Sequence, residues 1–230
     1  MVKKLVIIPA YNEEQSIVRA VSDVKKCAED FDVVVINDCS KDRTADLCRS
    51  AGAEVIDLPV NMGIGGAMQA GYSYAVKNEY DLAVQVDGDG QHDPSFIHMM
   101  YDLLTSENAD MVIGSRFIEK KGYQSSFPRR CGIRYFSWLI RMLTGKKITD
   151  PTSGFRMVNA AVLKLFAEDY PKDYPEPETL VKLLKKKMKV IEAPVIMRPR
   201  RAGRSSISFK WAFYYMVKVT VAVIRQGFSG

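Results

Sequence analysis

The sequence predicts an α/β fold: a single domain built on a mostly parallel central sheet flanked by helices, with basic amphipathic helices in its C-terminal half. Three observations carry that expectation. Short β-branched runs alternate with helical patterns through the first half of the chain. Those runs are nearly all apolar, as strands become when helices cover both faces of a sheet. The length, 230 residues with 47% apolar and 26% charged side chains, suits one globular unit with a real core.

Taken in order, strands are expected over 4–8, 33–37, 54–58, 82–86 and 111–114, with amphipathic helices over 14–28, 44–50, 64–76 and 94–105 between them. Pro9 is expected to stop the first strand, because its ring removes a ladder donor. After Arg116 the pattern loosens into a loop, a basic helix over 129–143, a turn over 150–154, a short helix, a strand near 189–197 and an apolar helix over 209–228. There is no internal repeat and no linker-like tract, so the second half is expected to wrap the first as one domain.

Composition narrows the function classes. The four cysteines form no CxxC pair, and with two histidines they assemble no convincing zinc site, so they read as reduced cytosolic thiols. The N-terminus lacks the long apolar region of a signal peptide, and Lys210, Lys218 and Arg225 put too much charge into 209–228 for a lipid-spanning helix. Net charge is +6, but residues 1–115 carry 9 basic and 19 acidic side chains while 116–230 carry 24 and 8. The two halves are therefore expected to meet different partners. Nucleic acid is the weakest of these, because no recognition motif accompanies the basic half.

In a parallel sheet, ligands bind at the carboxyl ends of the strands. Four polar loops fall there: Pro9 to Glu13, Asn37-Asp38, Asn61 to Gly66, and Asp87-Gly88-Asp89-Gly90-Gln91. Two carboxylates one residue apart, with glycines beside them, can hold a hard divalent cation such as Mg²⁺ or Mn²⁺ through oxygen, or can simply form a solvated turn. The glycine-rich stretch at Asn61 to Gly66 has neither dinucleotide-binding nor P-loop spacing, and reads as a tight turn at a helix start.

Five segments stand in an order that resembles family 2 glycosyltransferases of the GT-A fold: Pro9-Ala10-Tyr11-Asn12-Glu13, Asn37-Asp38-Cys39-Ser40-Lys41-Asp42, the Asn61, Gly63 and Gly66 set, Asp87 through Pro94, and Gly114-Ser115-Arg116. The resemblance is strongest to the dolichyl- and polyprenyl-phosphate sugar synthases and spans residues 4–208. It implies a glycosyltransferase domain over 1–208, with a nucleotide-sugar donor half at 1–115 and an acceptor half at 116–208, followed by a C-terminal amphipathic helix at 209–230.

The resemblance also implies roles. Pro9, Ala10, Tyr11, Glu13, Asn61, Gly66 and Asp87 would line the nucleotide pocket, and Asp38 would accept from a ring N–H of uracil or guanine, or else cap its turn. Uracil, hence a UDP-sugar, is the expectation. Asp87, Asp89 and Gln91 would hold Mg²⁺ or Mn²⁺, with His92 behind them. Asp150 to Arg156 resembles the segment that shapes the sugar pocket, and Arg200 to Ser206 resembles an Arg-x-x-Gly-x-Ser-Lys loop, with Ser206 in place of the usual Lys. Asp89, Arg116 and Asp150 are the residues expected to carry the reaction.

A lipid phosphate acceptor must approach an anionic diphosphate, so fixed positive charge is needed; Arg116, Arg130, Arg134, Arg200 and Arg201, with Ser205, are the candidates. Such an acceptor is already ionised and needs no general base. A hydroxyl acceptor on a lipid-linked or cell-wall glycan would need one, and Glu178, expected just before a helix, is the reserve candidate, although Glu at a helix start also satisfies the dipole.

Arg130, Arg134 and Arg141 fall within about 40° of one another on a helix, and Lys210, Lys218 and Arg225 within about 80°, with apolar residues filling the other faces. Two such helices can lie on an anionic membrane surface at the cytoplasmic face, or can pack on the domain or on a second subunit.

Overall fold

A computed structural model describes residues 2–123, 125–199 and 209–228, the last segment by its backbone alone up to residue 215. One seven-stranded sheet organises the chain, with strand order β3-β2-β1-β4-β6-β5-β7. The first half supplies β1 (Lys4–Ala10), α1 (Ile17–Cys27), β2 (Asp32–Asn37), α2 (Thr44–Ser50), β3 (Glu54–Asp57), α3 (Gly63–Lys77), β4 (Leu82–Gln85), α4 (Ile97–Ser106) and β5 (Met111–Ser115). The second supplies α5 (Phe127–Thr144), β6 (Arg156–Asn159), α6 (Ala160–Glu168), α7 (Pro175–Lys185), β7 (Val190–Pro194) and α8 (Phe209–Phe228).

All pairings are parallel except those of β6, which runs antiparallel to both β4 and β5. Successive residues of β1 enter opposite cores. Leu5 and Ile7 pack with residues of α3, α5, α6, α7 and α8, whereas Val6 and Ile8 pack with residues of α1 and α4. Both faces are covered, which is why the strand is apolar throughout instead of alternating.

Two departures from the expected elements have clear causes. β1 continues through Pro9 to Ala10 because β4 pairs with it only as far as Ile7. Beyond that point β1 has β2 as its single neighbour, so the missing N–H of Pro9 costs no ladder bond on the β4 side. β6 has no counterpart among the predicted strands. The turn before it sits at the carboxyl end of β4, so a strand leaving that turn must run back against its neighbours, as the Val84 to Met157 pairing records.

β1, β2 and β3 progress in one direction and β4 lies on the other side of β1. The reversal between β1 and β4 opens a crevice at their carboxyl ends. Glycines permit the close approaches around it: Gly65, at the start of α3, donates its N–H to the Lys172 carbonyl, and a Cβ there would lie 2.1 Å from the Pro171 carbonyl oxygen. Neither backbone can yield easily.

Gly65→Ala is therefore expected to lower the melting temperature by roughly 3–10 °C, from about 1–3 kcal/mol of overpacking, as read by differential scanning calorimetry.

Candidate active site

The loops at the mouth are stitched together before any ligand enters. Asn12, in the left-handed region at φ 54°, donates its N–H to Ser40 Oγ and accepts from the Lys41 N–H at 2.8 Å, so the β1 and β2 loops hold each other. The Glu13 N–H donates to Thr44 Oγ1 at 2.8 Å, and its carboxylate accepts from Ser16 Oγ. Tyr11 is exposed at the rim. Buried Asp38 accepts the Met62 N–H at 2.6 Å through Oδ1, and Asn61 donates to the Asp38 carbonyl, so both residues shape the turn that launches α3. Gly66 sits against Met62 in that turn.

Beside this wall, the end of β4 carries the Asp87 to Gln91 turn. Gln85 Nε2 donates to Asp87 Oδ1 at 3.0 Å, and the Asp87 N–H donates to Nδ1 of buried His92. His92 stacks on Phe155 with centroids 4.9 Å apart, and its Nε2 lies 3.5 Å from Asp87 Oδ2. Asp89 is buried and its Oδ1 accepts the Gln91 N–H at 2.9 Å. Among the described residues no three His, Cys, Asp or Glu converge on a point. The donor set of two carboxylates and an amide oxygen fits a hard cation only when phosphate oxygens and water complete the shell, which is how Mg²⁺ is usually bound. Mg²⁺ and Mn²⁺ both suit such donors.

The opposite wall depends on a buried ion pair. Arg116, at the end of β5 and 5% exposed, forks onto Asp150, which is fully buried: Nε to Oδ2 and Nη2 to Oδ1 are both 2.6 Å. The same guanidinium donates to Thr152 Oγ1 and Ser125 Oγ. Glu192 of β7 accepts the N–H groups of Thr149 and Asp150, each at 2.8 Å, and so fixes the turn from below. Arg156, 1% exposed, donates to the carbonyls of Pro151 and Ser153 and to Thr179 Oγ1. This turn is pressed onto the acidic loop, since a Cβ at Gly154 would lie 3.6 Å from both carboxylate oxygens of Asp87.

The structure thus brings Pro9, Ala10, Tyr11, Glu13, Asp38, Asn61, Gly66, Asp87, Asp89 and Gln91 to the carboxyl ends of β1, β2, β3 and β4, and joins Arg116 to Asp150. Arg130 is half-buried and donates to the Ser125 carbonyl, and Arg134 is exposed on α5. Arg200, Arg201, Ser205 and the rest of their loop lie outside the described residues.

Glu178 is in the first turn of α7 and not before it. It faces α8, 3.8 Å from Arg225, and lines a cavity of about 380 Å³ with Asp169, Lys172 and Lys218. Burial raises its pKa, countered by Arg225. Sequence reasoning placed Arg156 only within the 150–156 segment, and missed Glu192 and Glu176. Burial also raises the pKa of Glu176, and the charges acting on it are Arg156, Asp87 and Arg129.

Comparison with known proteins was consistent with this geometry. The family model described as glycosyl transferase family 2 matches residues 5–166. The undecaprenyl-phosphate mannosyltransferase of Micrococcus luteus is 29% identical over 216 residues, covering 89% of this chain and 87% of its own. The UDP-N-acetylglucosamine–dolichyl-phosphate N-acetylglucosaminyltransferase of Methanococcus voltae is 29% identical over 217 residues, covering 85% and 86%. Among solved structures, glucosyl-3-phosphoglycerate synthase from Mycobacterium tuberculosis, in complex with Mn²⁺, UDP and phosphoglyceric acid, superposes with a TM-score of 0.76 at 18% identity, over 98% of this chain and 78% of that one.

Asp150→Asn leaves the buried Arg116 without its counter-charge, and is expected to cost about 3–5 kcal/mol in chemical denaturation; Arg116→Met in the same chain should recover part of the loss. Glu176 has a pKa raised above 4.5, so its contribution to stability is present below that pH and is lost as pH rises through the higher native value. Glu176→Gln is therefore expected to melt above the wild type at pH ~8, with the gap closing below pH ~4.

Proposed function

The chain belongs to glycosyl transferase family 2 and is a glycosyltransferase; on that footing we propose that it is an inverting enzyme moving a hexose from a nucleotide diphosphate sugar, a UDP-sugar in particular, to a polyprenyl phosphate. The observation that carries the reading is the position of the Asp87 to Gln91 turn at the β1/β4 crevice, between the Asp38 wall after β2 and the Arg116 wall after β5. The names of the Micrococcus and Methanococcus relatives, both transferases to polyprenyl-type phosphates, support the acceptor class.

In this reading Pro9, Ala10, Tyr11 and Glu13 line the nucleoside pocket, with Asn61 and Gly66 shaping the turn on its far side and Asp38 presenting its carboxylate to the base. Asp87, Asp89 and Gln91 would hold Mg²⁺ or Mn²⁺, which when bound neutralises the diphosphate and improves it as a leaving group. The Arg116–Asp150 fork holds the sugar-pocket turn in place. Its charge is balanced within the protein, so the acceptor phosphate is met chiefly by Arg130 and Arg134 with Arg200, Arg201 and Ser205. An ionised phosphate attacks without a base, and the orientation of Glu178 toward α8 weakens the reading in which a hydroxyl acceptor is deprotonated by that residue.

Among the described residues no helix is long and apolar enough to cross a membrane. Phe127, Trp138 and Met142 are exposed on α5 within about 100° of Arg134 and Arg141, a mixed apolar and basic face suited to anionic headgroups at the inner membrane surface.

The test is to incubate the full chain and Mg²⁺ or Mn²⁺ with UDP-glucose, UDP-N-acetylglucosamine and GDP-mannose, presenting polyprenyl phosphate in phosphatidylglycerol vesicles, and to identify the product by mass. A hexosyl phosphoprenol is expected, formed more slowly as salt is raised, and Asp89→Asn should cut its rate by about 100-fold or more. Transfer only to hydroxyl-bearing glycans would overturn the acceptor assignment.

A further inference from the structure

Two carboxylates stand in the first turn of α7, Glu176 and Glu178, and the helix separates them by about 200°. They cannot serve the same side. Glu178 lies toward α8, with Arg225, Asp169 and Lys182 as its charged neighbours. Glu176 lies the other way, on the face that also carries Thr179, between the buried rings of Pro175 and Pro177, and is itself partly exposed.

That face is tied to the crevice. Thr179 Oγ1 accepts from Arg156 Nη1 at 2.9 Å and donates back to the helix carbonyls, so the hydroxyl fixes the rotation of α7 against the 150–154 turn. Arg156 holds that turn through Pro151 and Ser153, and Gly154 in the same turn abuts the Asp87 carboxylate. Among the described residues Arg156 forms no ion pair; its three contacts are neutral oxygens. Glu176 thus stands near a buried, unneutralised guanidinium, on the side of α7 turned to the acidic loop, with Asp87 and Arg129 as its other charged neighbours.

We propose that Glu176, and not Glu178, is the α7 carboxylate that meets the transferred sugar, accepting hydrogen bonds from its hydroxyls at the Asp87 side of the crevice. The inference rests on the nucleotide-sugar reading above. A carboxylate there has no diphosphate to bind, being repelled by it, whereas sugar hydroxyls are donors that match an acceptor-only group. The Arg156–Thr179 contact sets its position relative to the hexose.

The experiment compares the full-length wild type, Glu176→Gln, Glu176→Asp and Glu178→Gln by calorimetric titration in Mn²⁺, using UDP-glucose and UDP-N-acetylglucosamine each beside UDP, and GDP-mannose beside GDP. Wild type should bind one sugar nucleotide more tightly than its bare nucleotide. Glu176→Gln should lose that increment, weakening the sugar nucleotide by about tenfold while the bare nucleotide changes by less than about twofold, and Glu176→Asp should recover part of it. Equal effects on sugar nucleotide and bare nucleotide, no effect on either, or a larger selective loss in Glu178→Gln than in Glu176→Gln would each overturn the proposal while leaving the functional reading intact. Failure of the wild type to bind any of the nucleotides would instead overturn that reading and this proposal with it. Folding of each variant is checked by its melting temperature, and the conservative Asp variant tests the position even if Gln perturbs the turn.

Discussion

A guanidinium and a carboxylate removed from water, Arg116 and Asp150, hold the 150–154 turn against the end of β5. Each charge would be costly alone, and the pair is tolerable because the fork is bidentate and the remaining polar atoms are satisfied. The Asp150 backbone and its neighbour Thr149 are taken up by Glu192, and the Arg116 guanidinium also reaches Thr152 and Ser125. Three separate segments, the end of β5, the 150–154 turn and β7, are thereby registered to one another. That registration decides where β6 begins, and β6 is the strand that closes the gap between β4 and β5.

Much of this architecture is legible in the sequence. The first five strands announce themselves because both faces of the sheet are covered, so that Leu5 to Ile8 or Val33 to Ile36 read as unbroken apolar runs. The polar loops after β1, β2 and β4 are equally visible, since glycines, Asn and Asp cluster where strands stop. β6 is hidden because it has four residues, two of them polar, and its direction follows from a turn position that only the tertiary structure fixes. The boundary of β1 is misread at Pro9 because a local rule about the ring gives way to which neighbour strand is present at that height.

The site divides along the same line. Asp87, Asp89 and Gln91 can be picked out from a contiguous motif, and the order of five such motifs identifies the family. Glu192 cannot, because its partner Asp150 lies 42 positions away in the chain, and the contact of Arg156 with Thr179, 23 positions away, is equally hidden although Arg156 itself stands in a contiguous motif. Choosing between Glu176 and Glu178 requires the rotation of α7 about its axis. Two residues of spacing reverse which way a helical side chain points, and the sequence alone supplies no reference for that rotation.

The shared duty of the 150–154 turn has an evolutionary corollary. One flank of the crevice is welded to the sheet: a substitution there disturbs Asp150, Arg156 or the first residue of β6, and stability is surrendered before selectivity can drift. The first turn of α7 is under a lighter constraint, since Pro175, Pro177 and Thr179 anchor it while the side chain at 176 is only partly buried. Position 176 can therefore change at less cost to the fold than the welded flank can.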